Sequence, residues 1–347
     1  MALRLSWKAL FYNQIMPQLA RIDAQKADLY LQRMGCLVQN GWGPRRRTIH
    51  GAVQRARAAV EIPESEVPTF RSALGANTAR MLARDYLLGD QSDRQVEQRF
   101  HVQGFECLLE ALAQRDGVII LGSHLGAYIP ALHWLYRQDL PLRSMIQRPR
   151  HVSSYLHTQL DHPSQLLPSS SLFLCRNLSP RDATERILRA RNVLREGMSL
   201  YLCGDITNTE GRAVSWFGQP ASLLDHWTYL AASTGAWVVP LFARFEPGGR
   251  YSLQFTTPFQ VETENTQTAV SHYLQHLTQH VAASPAQAVP YWTWPTYPGA
   301  PPESAQLANP TVFKSGNCQA LNKLHPSPGY GSKVGPPEPA DRWTARV

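Results

Sequence analysis

Gly117-Val-Ile-Ile-Leu-Gly-Ser-His124-Leu-Gly-Ala-Tyr128-Ile129-Pro130 is the stretch that fixes how the rest of the chain is read. The apolar run 118–121 has the composition of a buried strand, Gly122 and Ser123 break it, and small and apolar residues from Gly126 onward open a helix. Strand, tight turn and helix in that order form the unit of a sheet covered by helices. The carboxyl end of such a strand faces the crevice where these folds bind ligands. His124 stands at that end. An imidazole with the ordinary pKa of about 6.5 can take a proton from an alcohol at neutral pH. A histidine that merely bonds the turn is the plainer reading of the same position.

The texture continues on both sides. Apolar runs at 96–102, 118–121, 143–147, 172–175, 199–203, 238–244 and 251–256 read as strands, and amphipathic stretches near 105–113, 127–137, 152–160, 181–195, 223–233 and 269–283 as helices. Before residue 90 the apolar spacing is helical: from Trp7 to about Val38 with a bend at Pro17, then over 46–60 and 70–88. The expected fold class is α/β, a mixed central sheet covered by helices with a mainly helical N-terminal region. Residues 1–90 form that helical region, a candidate for facing a membrane, and 91–295 form the α/β domain. Residues 296–347, rich in Pro, Gly, Ser and Asn, are expected to be a disordered tail.

Of the 347 residues 43% are hydrophobic and 17% charged, which suits a folded protein. Lys and Arg outnumber Asp and Glu by 34 to 26, giving a formal charge of +8 and a surface that favours phosphates. Arg45, Arg46, Arg47, Arg55 and Arg57 gather on one expected helix, where they would meet anionic headgroups or form a solvated face. No nucleic-acid module accompanies them, so no nucleic-acid partner is expected. The five cysteines, Cys36, Cys107, Cys175, Cys203 and Cys318, make no CxxC pair and no Cys/His ligand spacing. That spacing points away from a metal and toward a reducing compartment. No run reaches the roughly 20 apolar residues that cross a bilayer, and Met1–Leu10 lacks the features of a secretory leader. A membrane would therefore be met from one side. The absence of a Gly-x-Ser-x-Gly elbow, a P-loop and a GxGxxG fingerprint removes the common serine hydrolases, NTPases and dinucleotide enzymes.

Gly122-Ser-His124-Leu-Gly-Ala-Tyr128 is similar to the strand-turn-helix that carries the His-x4-(Asp/Glu) signature of the bacterial lauroyl/myristoyl acyltransferases of lipid A biosynthesis, within the lysophospholipid acyltransferase superfamily. Three further blocks match in order. Ser144-Met-Ile-Gln-Arg148-Pro149 resembles the family's strand ending in Arg-Pro, and Arg195-Glu-Gly197 through Leu202-Cys-Gly-Asp205 resembles its Arg-x-Gly to Asp-Gln strand. Val214-Ser-Trp-Phe217-Gly218-Gln-Pro-Ala221 with Thr234-Gly235-Ala236-Trp-Val-Val-Pro240 resembles its Phe-Phe-Gly and Thr-Gly-Ala-x-Val-x-Pro segment. The resemblance covers roughly Trp7 to Trp294.

It implies a glycerolipid acyltransferase-like fold. The activity implied is transfer of a fatty acyl group from acyl-carrier protein or coenzyme A to a hydroxyl or amine of a lipid or lipid-like acceptor. It also implies no cofactor beyond that donor, no metal, and a peripheral place on the cytoplasmic face of the bacterial inner membrane. His124 would be the general base. Arg148 would hold a phosphate through its planar fork of donors, Tyr128 would line the substrate site, and backbone N–H groups near Gly122, Gly126 and Gly218 would steady the oxyanion.

One departure matters. Five residues after the histidine, where the family carries an acid, this chain has Ile129, and no acid occurs between Asp116 and Asp139. Disabling the orienting acid of a comparable triad costs about 10⁴-fold in turnover. Either another carboxylate partners His124 in space, with Asp205 the leading candidate and Glu210 and Asp225 behind it, or the chain binds acyl groups or their carriers without transferring them.

Overall fold

The computed structural model describes residues 10–41, 43–83, 88, 91–147, 172–174 and 180–294. Arg148, Cys175, the helix expected at 152–160 and the expected tail lie outside the described residues. Among the described residues seven strands form one sheet: β1 Phe100–Gln103, β2 Val118–Gly122, β3 Leu142–Gln147, β4 Leu172–Leu174, β5 Ser199–Cys203, β8 Trp237–Glu246 and β9 Arg250–Phe255. Their order is β1-β9-β8-β2-β5-β3-β4. β2 runs parallel to β5 and β8, and β5, β3 and β4 continue in parallel, whereas β9 returns antiparallel along β8. The sheet is thus mixed, as its expected class requires. All five residues of β2 are buried, which is why that strand reads as an unbroken apolar run instead of an alternation.

Helices α4 Phe105–Ala113, α5 Tyr128–Leu135, α6 Pro180–Arg195, α7 His226–Thr234 and α8 Thr266–Ala283 accompany the strands, followed by a last short helix, α9 Val289–Thr293. The N-terminal region supplies α1 Ala24–Gly41, α2 Gly43–Ala59 and α3 Val67–Ala83. Ile49, Val53, Phe70, Leu74 and Met81 from α2 and α3 share one apolar core with the buried strands. α1 lies against α3 so closely that a Cβ on Gly35 would stand 2.3 Å from the Gly75 carbonyl oxygen, which restricts that crossing to glycine. Arg80 of α3 grips Asp28 of α1 with Nε on Oδ1 at 2.7 Å and Nη2 on Oδ2 at 2.8 Å. Asp28 Oδ2 also accepts from the Gly248 N–H at 3.0 Å, tying the helical region to the β8–β9 turn.

Two expectations are corrected. The strand expected at 96–102 begins later, at Phe100, because Ser92 and Gln95 form a capping box that starts a short helix at Asp93–Glu97 and takes Val96 into it. The Ser-x-x-Gln spacing is the local signal that overrides the apolar run. A hairpin, β6 Thr207–Trp216 and β7 Gln219–Leu223, occupies a stretch with no expected strand. Its two-residue turn has positive φ at both Phe217 (52°) and Gly218 (70°), the type I′ geometry that matches strand twist.

Candidate active site

The register of β2 on β5 sets the geometry. Gly122 pairs with Cys203 as the last partners of the two strands, and the Gly204 N–H donates to the Gly122 carbonyl at 2.9 Å, so the chains stay side by side beyond the ladder. His124 follows Gly122 by the same offset that Asp205 follows Cys203. The two side chains consequently meet. The His124 backbone N–H donates to Asp205 Oδ2 at 2.6 Å, and the ring Nδ1–H donates to Oδ1 at 2.8 Å. The Tyr291 hydroxyl, from α9, donates to Oδ2 as well.

The Asp205 side chain is wholly buried, whereas that of His124 keeps 15% of its surface exposed. Burial pushes the Asp205 carboxyl upward. The charge of His124 and the hydrogen bonds from the His124 ring, the Tyr291 hydroxyl and the His124 N–H together outweigh burial and hold the carboxyl below its ordinary range. A carboxylate in that state fixes the tautomer with the proton on Nδ1, the arrangement that presents Nε2 as the basic nitrogen. The Tyr128 and Trp294 rings stand edge-on to the imidazole, with centroids 5.0 and 5.3 Å away, giving the histidine an aromatic surround.

Other expected participants fall out differently. Gly126 has φ of 54° and its N–H already donates to the Gln287 carbonyl at 3.2 Å, so in this conformation it is no oxyanion donor. Its role is close packing of the turn, since a Cβ there would stand 2.5 Å from the Ala243 oxygen. Gly218 sits at the exposed tip of the β6–β7 hairpin, where the turn accounts for its conformation. Gly122 ends β2, its carbonyl accepting from the Tyr273 hydroxyl at 2.7 Å. Asp225 is engaged by Arg212 Nε at 2.5 Å, which commits it elsewhere, and the Glu210 side chain lies outside the described residues. Arg55 is turned inward, its Nε donating to the Trp292 carbonyl at 2.6 Å, so it does not belong to an open cationic face, whereas Arg57 is exposed and pairs with Glu64 at the surface.

His124, Cys203 and Asp205 offer ligand atoms within 4.8 Å of one another, the spacing of a metal site. Burial, reinforced by Asp205, pushes the Cys203 thiol well up and disfavours the thiolate a metal binds, and both Asp205 oxygens are already taken by donors.

The residues that sequence reasoning misses come from 285–294: Gln287, Tyr291 and Trp294. No motif spacing marks them. The only signal is an aromatic cluster, Tyr291-Trp292 and Trp294, standing just before the Pro- and Gly-rich tail.

Residues 76–294 match the model of the bacterial lipid A biosynthesis acyltransferase family. The chain belongs to that family. The match takes in His124, Asp205 and Tyr291 together and ends at Trp294, so acyl transfer is the chemistry against which this site is read. Among curated proteins no match is found. Among solved structures the chain is similar to the 1-acyl-sn-glycerophosphate (LPA) acyltransferase PlsC from Thermotoga maritima, at 14% identity and a TM-score of 0.34, over 75% of this chain and 99% of that one.

Proposed function

We propose that this acyltransferase moves a fatty acyl group from an acyl-carrier protein or coenzyme A thioester to a hydroxyl, or an amine, of a lipid or lipid-like acceptor, with His124 as general base and Asp205 as its partner. The observation that carries the reading is the 2.8 Å contact of His124 Nδ1 with Asp205 Oδ1. It supplies from the neighbouring strand the carboxylate that Ile129 cannot. In the reaction Nε2 takes the acceptor hydroxyl proton as the oxygen attacks the thioester carbonyl. The tetrahedral intermediate then collapses and expels the thiolate, and the imidazolium returns the proton to that sulfur. Asp205 holds the ring and stabilises its charged form without itself taking the proton.

A lipid acceptor calls for contact with a membrane surface, and α1 offers a face for it. Leu29, Tyr30 and Leu37 are exposed on one stripe with Lys26 and Arg33, a mixture suited to an anionic interface. Among the described residues no helix is long and apolar enough to cross a membrane. Peripheral binding at the cytoplasmic face of the inner membrane is the place proposed for the protein. The competing reading, a non-catalytic acyl-binding or carrier-docking protein, would gain from a histidine without a carboxylate, and the contact with Asp205 supports the catalytic reading instead.

His124→Ala should abolish transfer of a labelled acyl group from the carrier thioester to a lipid extract while the protein stays folded. Undiminished turnover would take His124 out of the reaction, and stoichiometric retention of acyl groups with no turnover in the unaltered protein would favour the binding role.

A further inference from the structure

Resting on the reading of His124 and Asp205 as a dyad, we infer that Tyr291 is a positioning residue for acyl transfer, its hydroxyl anchoring Asp205 so that the carboxylate presents Oδ1 to the imidazole. The usual acid of the family signature would ride on α5, rigidly joined to the histidine's own turn. Asp205 instead comes from the loop after β5, between Gly204 and the exposed Ile206. Among the described residues its carboxylate has three donors, and two of them belong to His124 itself. One of those two, the His124 backbone N–H, ties Oδ2 to the turn after β2, and the other is the dyad contact itself. Tyr291 is the one donor that reaches the carboxylate from outside the His124 turn.

The hydroxyl has little freedom. The residue is 1% exposed and its ring meets Trp216 of β6 edge-on at 5.1 Å. α9 is fastened from two sides, by Arg55 of α2 on the Trp292 carbonyl at 2.6 Å and by the Trp292 indole N–H on the Pro285 carbonyl at 2.7 Å. A rigid donor on Oδ2 also draws charge from Oδ1 and so tempers the bond to Nδ1. Tyr291 therefore sets both where the carboxylate stands and how strongly it holds the ring.

The test uses the full chain labelled with [15N]histidine, the Nδ1 signal of His124 being assigned by its loss in His124→Gln. Tyr291→Phe keeps the ring and removes the hydroxyl. It should move the Nδ1 shift downfield as the Oδ1 bond strengthens, and lower kcat about tenfold with KM nearly unchanged, the loss expected for one hydrogen bond to a charged group. Replacing Tyr291 with 3,5-difluorotyrosine, a stronger donor of the same shape, should move the shift the opposite way, and it serves alone if Tyr291→Phe does not fold. An Nδ1 signal that stays in place in every replacement that folds would overturn the inference, as would unaltered kcat. The dyad stands or falls separately: full turnover in His124→Gln removes the proposed reaction, whereas a dead His124→Gln beside a silent Tyr291→Phe removes only the anchor.

Discussion

Two glycines with the same backbone strain but different surroundings give a controlled measure of how tightly the His124 turn is built. Gly126 has φ of 54° and Gly218 of 70°, so alanine at either pays a similar left-handed penalty of about 1–2 kcal/mol. At Gly218 the new Cβ meets nothing within 4 Å. At Gly126 it stands 2.5 Å from the Ala243 carbonyl oxygen and 2.8 Å from Gln287 Oε1. Neither neighbour yields easily: one is strand backbone, and Gln287 is held by both polar groups of Phe245, accepting from its N–H at 2.7 Å and donating to its carbonyl at 2.9 Å. The overlap with the Ala243 oxygen is close to 1 Å relative to ordinary contact, and overpacking of that kind adds about 1–3 kcal/mol. Gly126→Ala should therefore lose roughly 2–5 kcal/mol in urea denaturation against about 1–2 kcal/mol for Gly218→Ala. Activity should separate the two further. A displacement approaching 1 Å in a turn that carries the base costs on the order of 10²-fold in turnover, while the hairpin tip should leave the rate near that of the unaltered enzyme. Equal losses of stability and rate in the two variants would refute the account of Gly126 as a close-packing residue of the site.

Other outcomes follow from the same geometry. Asp205→Asn should lower the acyl-transfer rate by about 10⁴-fold, through the wrong imidazole tautomer, in a steady-state assay with the protein folded by circular dichroism. Arg80→Met, which strands the buried Asp28 carboxylate, should cost about 3–5 kcal/mol in urea denaturation. Burial pushes that carboxyl up, but the charge and hydrogen bonds of Arg80, with those of Gln32 and the Gly248 N–H, together outweigh it and hold it below 3.8. Its contribution to stability is accordingly present above that ordinary value and fades as pH falls through the lower folded one. His280, stacked on Phe242 at 4.0 Å, is held down to about 4 from 6.5 by burial, then by Arg244 and His276. The unfolded chain takes up its proton first, so this contribution is full above 6.5 and is lost as pH falls toward about 4. His280→Phe should flatten the melting temperature across that window.

The strand-turn-helix around His124 was legible because its apolar run is long, its breakers are glycines and its helix follows at once. Most of the sheet was read by the same contrast of short apolar runs against amphipathic stretches. The β6–β7 hairpin escaped because its strands carry polar residues such as half-buried Arg212 and exposed Ser215 and Gln219 that give no apolar alternation, although Phe217-Gly218 sits where a two-residue turn belongs. At the site, His124 announced itself by position. Asp205 was nameable from its own motif, but its meeting with His124 depends on β5 lying beside β2 with β3 and β4 intervening in sequence, which periodicity does not encode. Tyr291 was illegible for a stronger reason: α9 is a single short helix, and only the folded chain reveals that it points at Asp205.

A histidine–carboxylate pair assembled across two adjacent parallel strands has a lineage-level meaning. An acid at the next strand end can serve the base without an acid on the histidine's own helix, because the ladder delivers both positions to the same point in space. Homologues that a His-x4-acid filter discards as dead deserve a second screen keyed to strand ends. That screen asks whether an aspartate stands as far beyond the neighbouring strand as the histidine stands beyond its own.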